Sequence, residues 1–204
     1  MKEEILVKLL GTGLTKEYDL TFSTDINFDP GYFIKDSLYL QLSGKDLFNI
    51  NLNIQKNSPF LLKLNSDLKN IEFNSPLNSL SKNISTRLPT EILVTNFLNP
   101  SIRVNNQKID MHIRDLRKYD GYISIGRKLP NQYKNFDKEN GLNLYLYSQF
   151  MDENLLISLL PSNRELTSIK LNKLAFDIKN FKFFDNKFSD LSGFFDLKNP
   201  EIMG

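Results

Sequence analysis

Apolar and polar residues alternate with a period of two along most of this chain. Tyr18, Leu20 and Phe22, then Ile26 and Phe28, alternate with Thr21, Ser23, Asp25 and Asn27. Leu38, Leu40 and Leu42 enclose Tyr39 and Gln41, and Phe48, Ile50, Leu52 and Ile54 enclose Asn49, Asn51 and Asn53. Phe60, Leu62 and Leu64 follow, then Ile109, Met111 and Ile113, then Leu142, Leu144 and Leu146, then Leu174, Phe176 and Ile178. Successive strand residues point to opposite faces, so each segment carries one apolar and one polar face. That is the signature of antiparallel sheet with one wet side. The pattern predicts a mainly β protein: a long antiparallel, curved sheet, as an open groove or a flattened sandwich, with one or two short helices.

Turn chemistry separates the segments. Asp29-Pro30-Gly31, Ser43-Gly44-Lys45-Asp46, Asn57-Ser58-Pro59 and Asn140-Gly141 are residues that turns favour, and Asn105-Asn106 suggests a tight hairpin. Two stretches break the alternation. Residues 76–85 space Leu77, Leu80 and Ile84 as a short helix or a loop. Residues 152–160 predict a helix, with Asp152 as cap, Leu155, Leu156, Leu159 and Leu160 as one stripe, and Pro161 as its end. A helix that short is marginal alone, so it should pack across the sheet or plug one end.

The apolar faces are bulky and continuous. Two such faces could bury each other in a closed sandwich, and periodicity alone favours that arrangement. An open sheet would instead present a greasy groove. Each Leu or Phe buried contributes roughly 1.5–3 kcal/mol, so an exposed groove calls for a ligand, a lipid chain or a partner.

Composition narrows the chemistry. The 204 residues include 24 Asn, 33 Leu, 17 Ile, 16 Phe and one alanine, Ala175. One alanine among so many asparagines argues against a helix bundle, and an AT-rich genome would produce much the same bias. Without cysteine there is no disulfide scaffold, thiolate zinc site or thiol nucleophile. The net charge of +2, with both signs dispersed, gives no nucleic-acid footprint. The longest apolar run, Leu155 to Leu160, is far below the roughly 20 residues of a membrane span. The N-terminus, with Glu3 and Glu4, lacks the apolar core of a signal peptide.

No catalytic constellation emerges. Gly11-Thr12-Gly13 lacks the third glycine and the apolar helix of a phosphate loop, and reads as a turn. His112 falls on the polar side of its strand, as an exposed or hydrogen-bonded residue without a nucleophile motif. Glu3-Glu4 and Asp152-Glu153 read as surface or cap residues, because acid–base work needs carboxylates converging in a cleft. Asp25 with Asp29, and Asp185 with Asp190, lack the spacing of a calcium loop. No enzyme activity, cofactor or metal is expected.

Three blocks resemble the C-terminal half of YhdP-type proteins of the AsmA-like family. In the first, Ser66-Asp67-Leu68 is followed by Pro76-Leu77, Lys82 and Leu88-Pro89. In the second, a strand opening at Gly141-Leu142 leads to a short helix ending at Leu159-Leu160; the third is a pair of Leu-polar strands from Leu166 to Asn199. The chain departs from the family pattern at Asn70, where a Gly is usual, at Asn74, where a Pro is usual, and at Asn154 or Leu155, where the helix usually has a Trp. The resemblance covers about residues 40 to 200.

It implies a non-enzymatic slice, residues 1–204, of a far longer bridge-like protein. Such proteins are anchored in the inner membrane of Gram-negative bacteria and cross the periplasm as a curved sheet that conducts phospholipid toward the outer membrane. The implied partner is phospholipid, with membrane contact through parts outside this chain. The apolar alternation then nominates Phe48, Ile50, Leu52, Ile54, Leu142, Leu144, Leu146, Phe176 and Ile178 as the groove face. Two rival readings are a structural β-sandwich module that binds protein partners in a surface, phage or secretion assembly, and a carbohydrate-binding sandwich using Tyr39, Tyr145 and Tyr147.

Overall fold

A computed structural model describes residues 6–10, 19–32, 40–55, 60–96, 98–155 and 171–197. Fourteen strands run through them: β1 (Leu6–Leu10), β2 (Asp19–Phe28), β3 (Gln41–Ser43), β4 (Asp46–Gln55), β5 (Leu61–Ser66), β6 (Glu72–Asn74) and β7 (Thr90–Thr95), followed by β8 (Ser101–Asn105), β9 (Ile109–Asp115), β10 (Asp120–Ile125), β11 (Leu142–Ser148), β12 (Met151–Asp152), β13 (Leu171–Phe183) and β14 (Asn186–Asp196). Twelve form one sheet in the order β1-β2-β4-β5-β7-β8-β9-β10-β11-β13, with β12 and β14 each paired to β13. β3 and β6 form a separate two-stranded sheet. Among the described residues the large sheet is not closed on itself, and β1 and β14 are its two edges.

From β1 to β10 every pairing in the large sheet is antiparallel, as the alternation predicts. From β10 onward the sheet is mixed, because β10–β11, β11–β13 and β12–β13 pair parallel. The parallel stretch is covered on both faces, which is the setting parallel strands need. Two 3₁₀ turns accompany the strands, Pro30–Tyr32 and Asn131–Asp137.

The predicted turns appear where they are described. Asp29 accepts a hydrogen bond from the Gly31 amide at 2.9 Å. Asn106 closes the β8–β9 hairpin, its Oδ1 accepting from the amides of Lys108 and Ile109 at 2.8 and 2.7 Å. Asp152 caps a helical turn, accepting from Leu155 N–H at 2.8 Å; the rest of that predicted helix, with Leu156, Leu159 and Leu160, lies outside the described residues. So do Gly11-Thr12-Gly13, Tyr39 and Asn57-Ser58-Pro59. Residues 76–85 are turns rather than helix.

The closed sandwich favoured by periodicity is not what forms. Instead, two excursions leave the large sheet at the same end and meet over one face of it. One connects β2 to β4 and carries β3. The other, residues 67–89 between β5 and β7, carries β6 and is called the cover here. Leu68, Ile71, Phe73 and Leu88 from the cover pack on Phe48, with Phe28, Leu40, Leu42, Ile50 and Leu64 around them. Further along, Leu77 and Leu80 pack with Met151 and Ile178, against Ile109, Ile125, Leu146 and Phe176. A short irregular layer therefore takes the place of a second full sheet.

A third cluster lies elsewhere. Tyr122, Phe136, Tyr145 and Ala175 are buried together with Leu129, Tyr133 and Tyr147 beside them. Tyr145 and Asn143 alternate with the Leu residues of β11, so the sequence reading puts them on a wet face. Both are fully buried instead. The turn at Asn131–Asp137 covers that part of the opposite face, and local covering overrides the binary pattern.

Candidate functional site

The strand register aligns the apolar positions into rows that run across the sheet. Directly paired residues share a face, so the row can be followed strand by strand. Thr24 pairs with Ile50, Ile50 with Leu64, Leu64 with Ile92, and Ile92 with Val104. Val104 pairs with Met111, Met111 with Ile123, Ile123 with Leu144, Leu144 with Leu174, and Leu174 with Phe195. Nine of these ten positions are apolar. At roughly 4.8 Å per strand the nine steps cover about 40 Å, more than the ~30 Å hydrocarbon thickness of a bilayer.

A second row runs beside it: Phe22, Leu52, Leu62, Val94, Ile102, Ile113, Gly121, Leu142 and Leu171. Ile54 lies one pair further on, opposite Leu20. Toward the cover lie Phe48 on β4 and Leu146 with Phe176 on β11 and β13.

All nine nominated groove residues therefore belong to this one apolar face, but they are not equally open. Phe48 and Ile178 are buried beneath the cover and form its core contacts. Ile50, Leu52, Ile54, Leu142, Leu144, Leu146 and Phe176 are half-buried. At the end away from the cover, Leu20, Thr21, Phe22, Leu52 and Ile54 line a depression of about 330 Å³. The face is thus a stripe roofed along one margin and accessible along the other.

The cover is held by polar bonds that the alternation does not reveal. Asp46, itself buried, accepts from the backbone N–H and the side-chain amide of Asn70, both at 3.2 Å. Lys82 is buried, donating to the carbonyl of Ile71 and, at 3.2 Å, to that of Asn83. Burial lowers the Lys82 pKa, against the attraction of Asp46 and Glu72. Asn70 and Lys82 both fall in the first block of resemblance, where they build the cover.

The opposite face carries the polar network. Lys63 pairs with Glu91 at 2.5 Å. Tyr145 Oη donates to Asp177 at 2.6 Å, and Arg127 pairs with the same carboxylate while its guanidinium lies over the Tyr145 and Tyr147 rings. Tyr122 Oη donates to Asp110 at 2.9 Å. Burial, reinforced by the acidic partner, pushes both phenols well above their ordinary pKa. Tyr145 and Tyr147 are therefore committed to this packed network rather than displayed as a sugar platform.

His112 has more company than its strand suggests. Its Nδ1 lies 2.6 Å from Asp137 Oδ1, and its Nε2 lies 3.5 Å from Ser101 Oγ. The order Ser–His–Asp is that of a hydrolytic triad, yet Arg103 Nη2 also lies 3.2 Å from Nδ1. In acyl transfer the Nδ1–H is reserved for the carboxylate, which fixes the tautomer. An arginine competing for that nitrogen makes the group a cross-strand tie that anchors the 131–137 turn to β8 and β9. Sequence reading missed Ser101 and Asp137 because no local motif links residues 101, 112 and 137.

A concavity of about 550 Å³ lies at the strand ends, lined by polar residues that include Asn65, Asp67, Glu91, Asn106 and Lys128. No group of three His, Cys, Asp or Glu suited to a metal ion occurs among the described residues, and no helix among them is long and apolar enough to cross a membrane. Comparison with family models, curated proteins and solved structures returns no match.

Proposed function

We propose that the apolar face of the large sheet binds acyl chains, and that the protein is a non-enzymatic lipid-transfer segment. The observation that carries this reading is the unbroken row from Ile50 to Phe195, in which nine strands in succession each present an apolar side chain in register. A binding pocket for one compact ligand would be local. A row repeated across the sheet suits a flexible chain that lies along it and can slide from one strand to the next. The polar residues of the opposite face remain available to water and ion pairs.

The YhdP-like blocks support the same reading, and they extend it to phospholipid moving through the periplasm between inner and outer membrane. Purification from native membranes followed by lipid mass spectrometry tests the proposal. Wild-type protein should carry phospholipid, and Leu144→Asp should carry much less at unchanged secondary structure. A wild-type chain free of lipid, with Leu144→Asp altering stability alone, would sink the idea.

The second reading is a partner-binding structural module. β14 favours it, because this eleven-residue strand forms an edge of the sheet, with β13 as its strand partner among the described residues. A proline at Ser192 would then abolish partner capture while leaving bound lipid unchanged.

A further inference from the structure

The β13–β14 hairpin extends past the end of β11, on the same side of the sheet as the cover. Its tip, residues 181–188, gathers four phenylalanines. Phe181 packs against the cluster under the cover, and from there the rings continue outward. Phe181 contacts Phe183 at 6.1 Å and Phe188 at 6.4 Å between ring centres, and Phe183 contacts Phe184 at 4.7 Å. Phe183, Phe184 and Phe188 are 43%, 66% and 47% exposed.

Two details of the tip work against the stability of the hairpin itself. Phe184 and Asp185 form a two-residue loop, and Phe184 has φ +52°. A positive φ at the first central position suits Gly, whereas a bulky residue there is strained. The chain thus gives up the favoured turn residue and sets a phenyl ring at its outermost point. Lys182 also lies directly opposite Lys187, both exposed and neither ion-paired among the described residues. Like charges directly opposite each other destabilise a strand pair.

Both details make sense if the tip meets an anionic apolar boundary. We infer that the 181–188 hairpin tip is a membrane-docking element that inserts its phenylalanine rings into the interface of a bilayer containing anionic lipid. Aromatic rings settle at the headgroup level, and lysine stems reach along them to place ammonium groups beside phosphates. Anionic headgroups relieve the Lys182–Lys187 repulsion and outweigh the carboxylates of Asp185 and of Asp152, which pairs with Lys182 in the β12–β13 register. A protein partner is less well matched, because a standard interface draws on roughly 20–30 residues a side and the tip offers a narrow, protruding knob. The inference does not depend on acyl chains occupying the sheet face.

Co-sedimentation with vesicles tests it, using the full chain and phosphatidylcholine vesicles with or without 30% phosphatidylglycerol. Wild type should bind the anionic vesicles and release as salt is raised. Phe184→Gly should keep or raise thermal stability, since glycine suits the turn, while weakening vesicle binding several-fold. Phe183→Ser/Phe188→Ser should weaken it at least ten-fold, and Lys182→Glu/Lys187→Glu should abolish the preference for anionic vesicles. Lipid co-purified on the sheet face should be unchanged in all three, which separates this inference from the acyl-chain reading. Absence of wild-type binding, or binding indifferent to these substitutions, overturns it. So does concentration-dependent self-association lost in the same variants, which would make the tip a contact between copies.

Discussion

Ser79 donates its hydroxyl to the main-chain carbonyl of Tyr147 at 2.7 Å, joining the cover to β11 across 68 positions of sequence. Lys108 reinforces the joint by donating to the Ser79 carbonyl at 2.8 Å. Gly126 leaves the space for it, with φ +92° and a would-be Cβ only 2.2 Å from the Tyr147 oxygen and 2.8 Å from Ser79 Oγ. These groups latch the far end of the cover over Ile178 and Phe176. Ser79→Ala should cost about 1 kcal/mol, the net value of one such bond. Amide exchange read by mass spectrometry should show faster opening of residues 71–82 and little change in β8 or β9. Uniform acceleration everywhere would mean that the cover opens only with global unfolding. Gly126→Ala should be the harsher change, since it meets backbone and strains φ, at roughly 1–3 kcal/mol.

Lys82 gives the cover a pH signature. Burial is the largest influence on its ammonium and lowers its pKa, with Asp46 and Glu72 acting in the other direction. The unfolded chain therefore holds this proton to higher pH than the folded one. Where the unfolded state binds more protons, stability rises with pH. The urea midpoint should climb as pH rises toward the ordinary lysine value, about 10.4. Lys82→Met should reduce that climb to the part contributed by Lys108, whose pKa burial also lowers, and should also lower stability at neutral pH by about 1–2 kcal/mol by stranding the Ile71 and Asn83 carbonyls.

The two buried tyrosines act with the opposite sign at higher pH. Burial and their bonds to Asp110 and Asp177 keep the folded phenols protonated beyond their ordinary range. Their contribution is complete below about pH 10 and is lost above it, as the unfolded phenols ionise first. Tyr122→Phe/Tyr145→Phe should flatten the alkaline fall in melting temperature while costing about 1–3 kcal/mol at pH 7. Absorbance titration of phenolate at 295 nm gives an independent reading, since two fewer groups should ionise with the unfolding transition.

How much of this architecture the sequence shows depends on whether a feature is local. Alternation on β4, β11 and β13 picks out residues that share one face of the sheet, because a period of two is a property of the strand alone. The rows are not visible, since Ile50 and Leu144 become members of one row only through the pairings of every strand between them. The cover is equally hidden. Leu68, Ile71, Phe73, Leu77, Leu80 and Leu88 follow no single period, because each is placed by turns and by bonds such as Asp46 to Asn70. Burial of Asn143 and Tyr145 eludes the binary pattern for a related reason. The short turn at Asn131–Asp137, just before β11, covers them, and the Asn143 side-chain N–H groups donate to the carbonyls of Gly121 and Phe136 at 3.2 and 3.0 Å.

The acyl-chain reading makes a prediction that depends on face rather than on strand. On β4, Leu52 and Asn53 are neighbours in sequence but point to opposite sides of the sheet, and they pair with Phe22 and Thr21 respectively. If the apolar face holds lipid, Leu52→Asp should reduce bound phospholipid several-fold, because the carboxylate would sit in the path of a chain crossing the row. Asn53→Asp adds the same charge one residue away and should leave bound lipid unchanged. Leu52→Asp also removes apolar contact that Asn53→Asp keeps, so it should be the less stable of the two. Bound lipid is counted per folded protein by mass spectrometry at a temperature where both variants remain folded. Equal losses in both variants would show that charge or stability matters rather than the face, and the row would then be an ordinary packing surface.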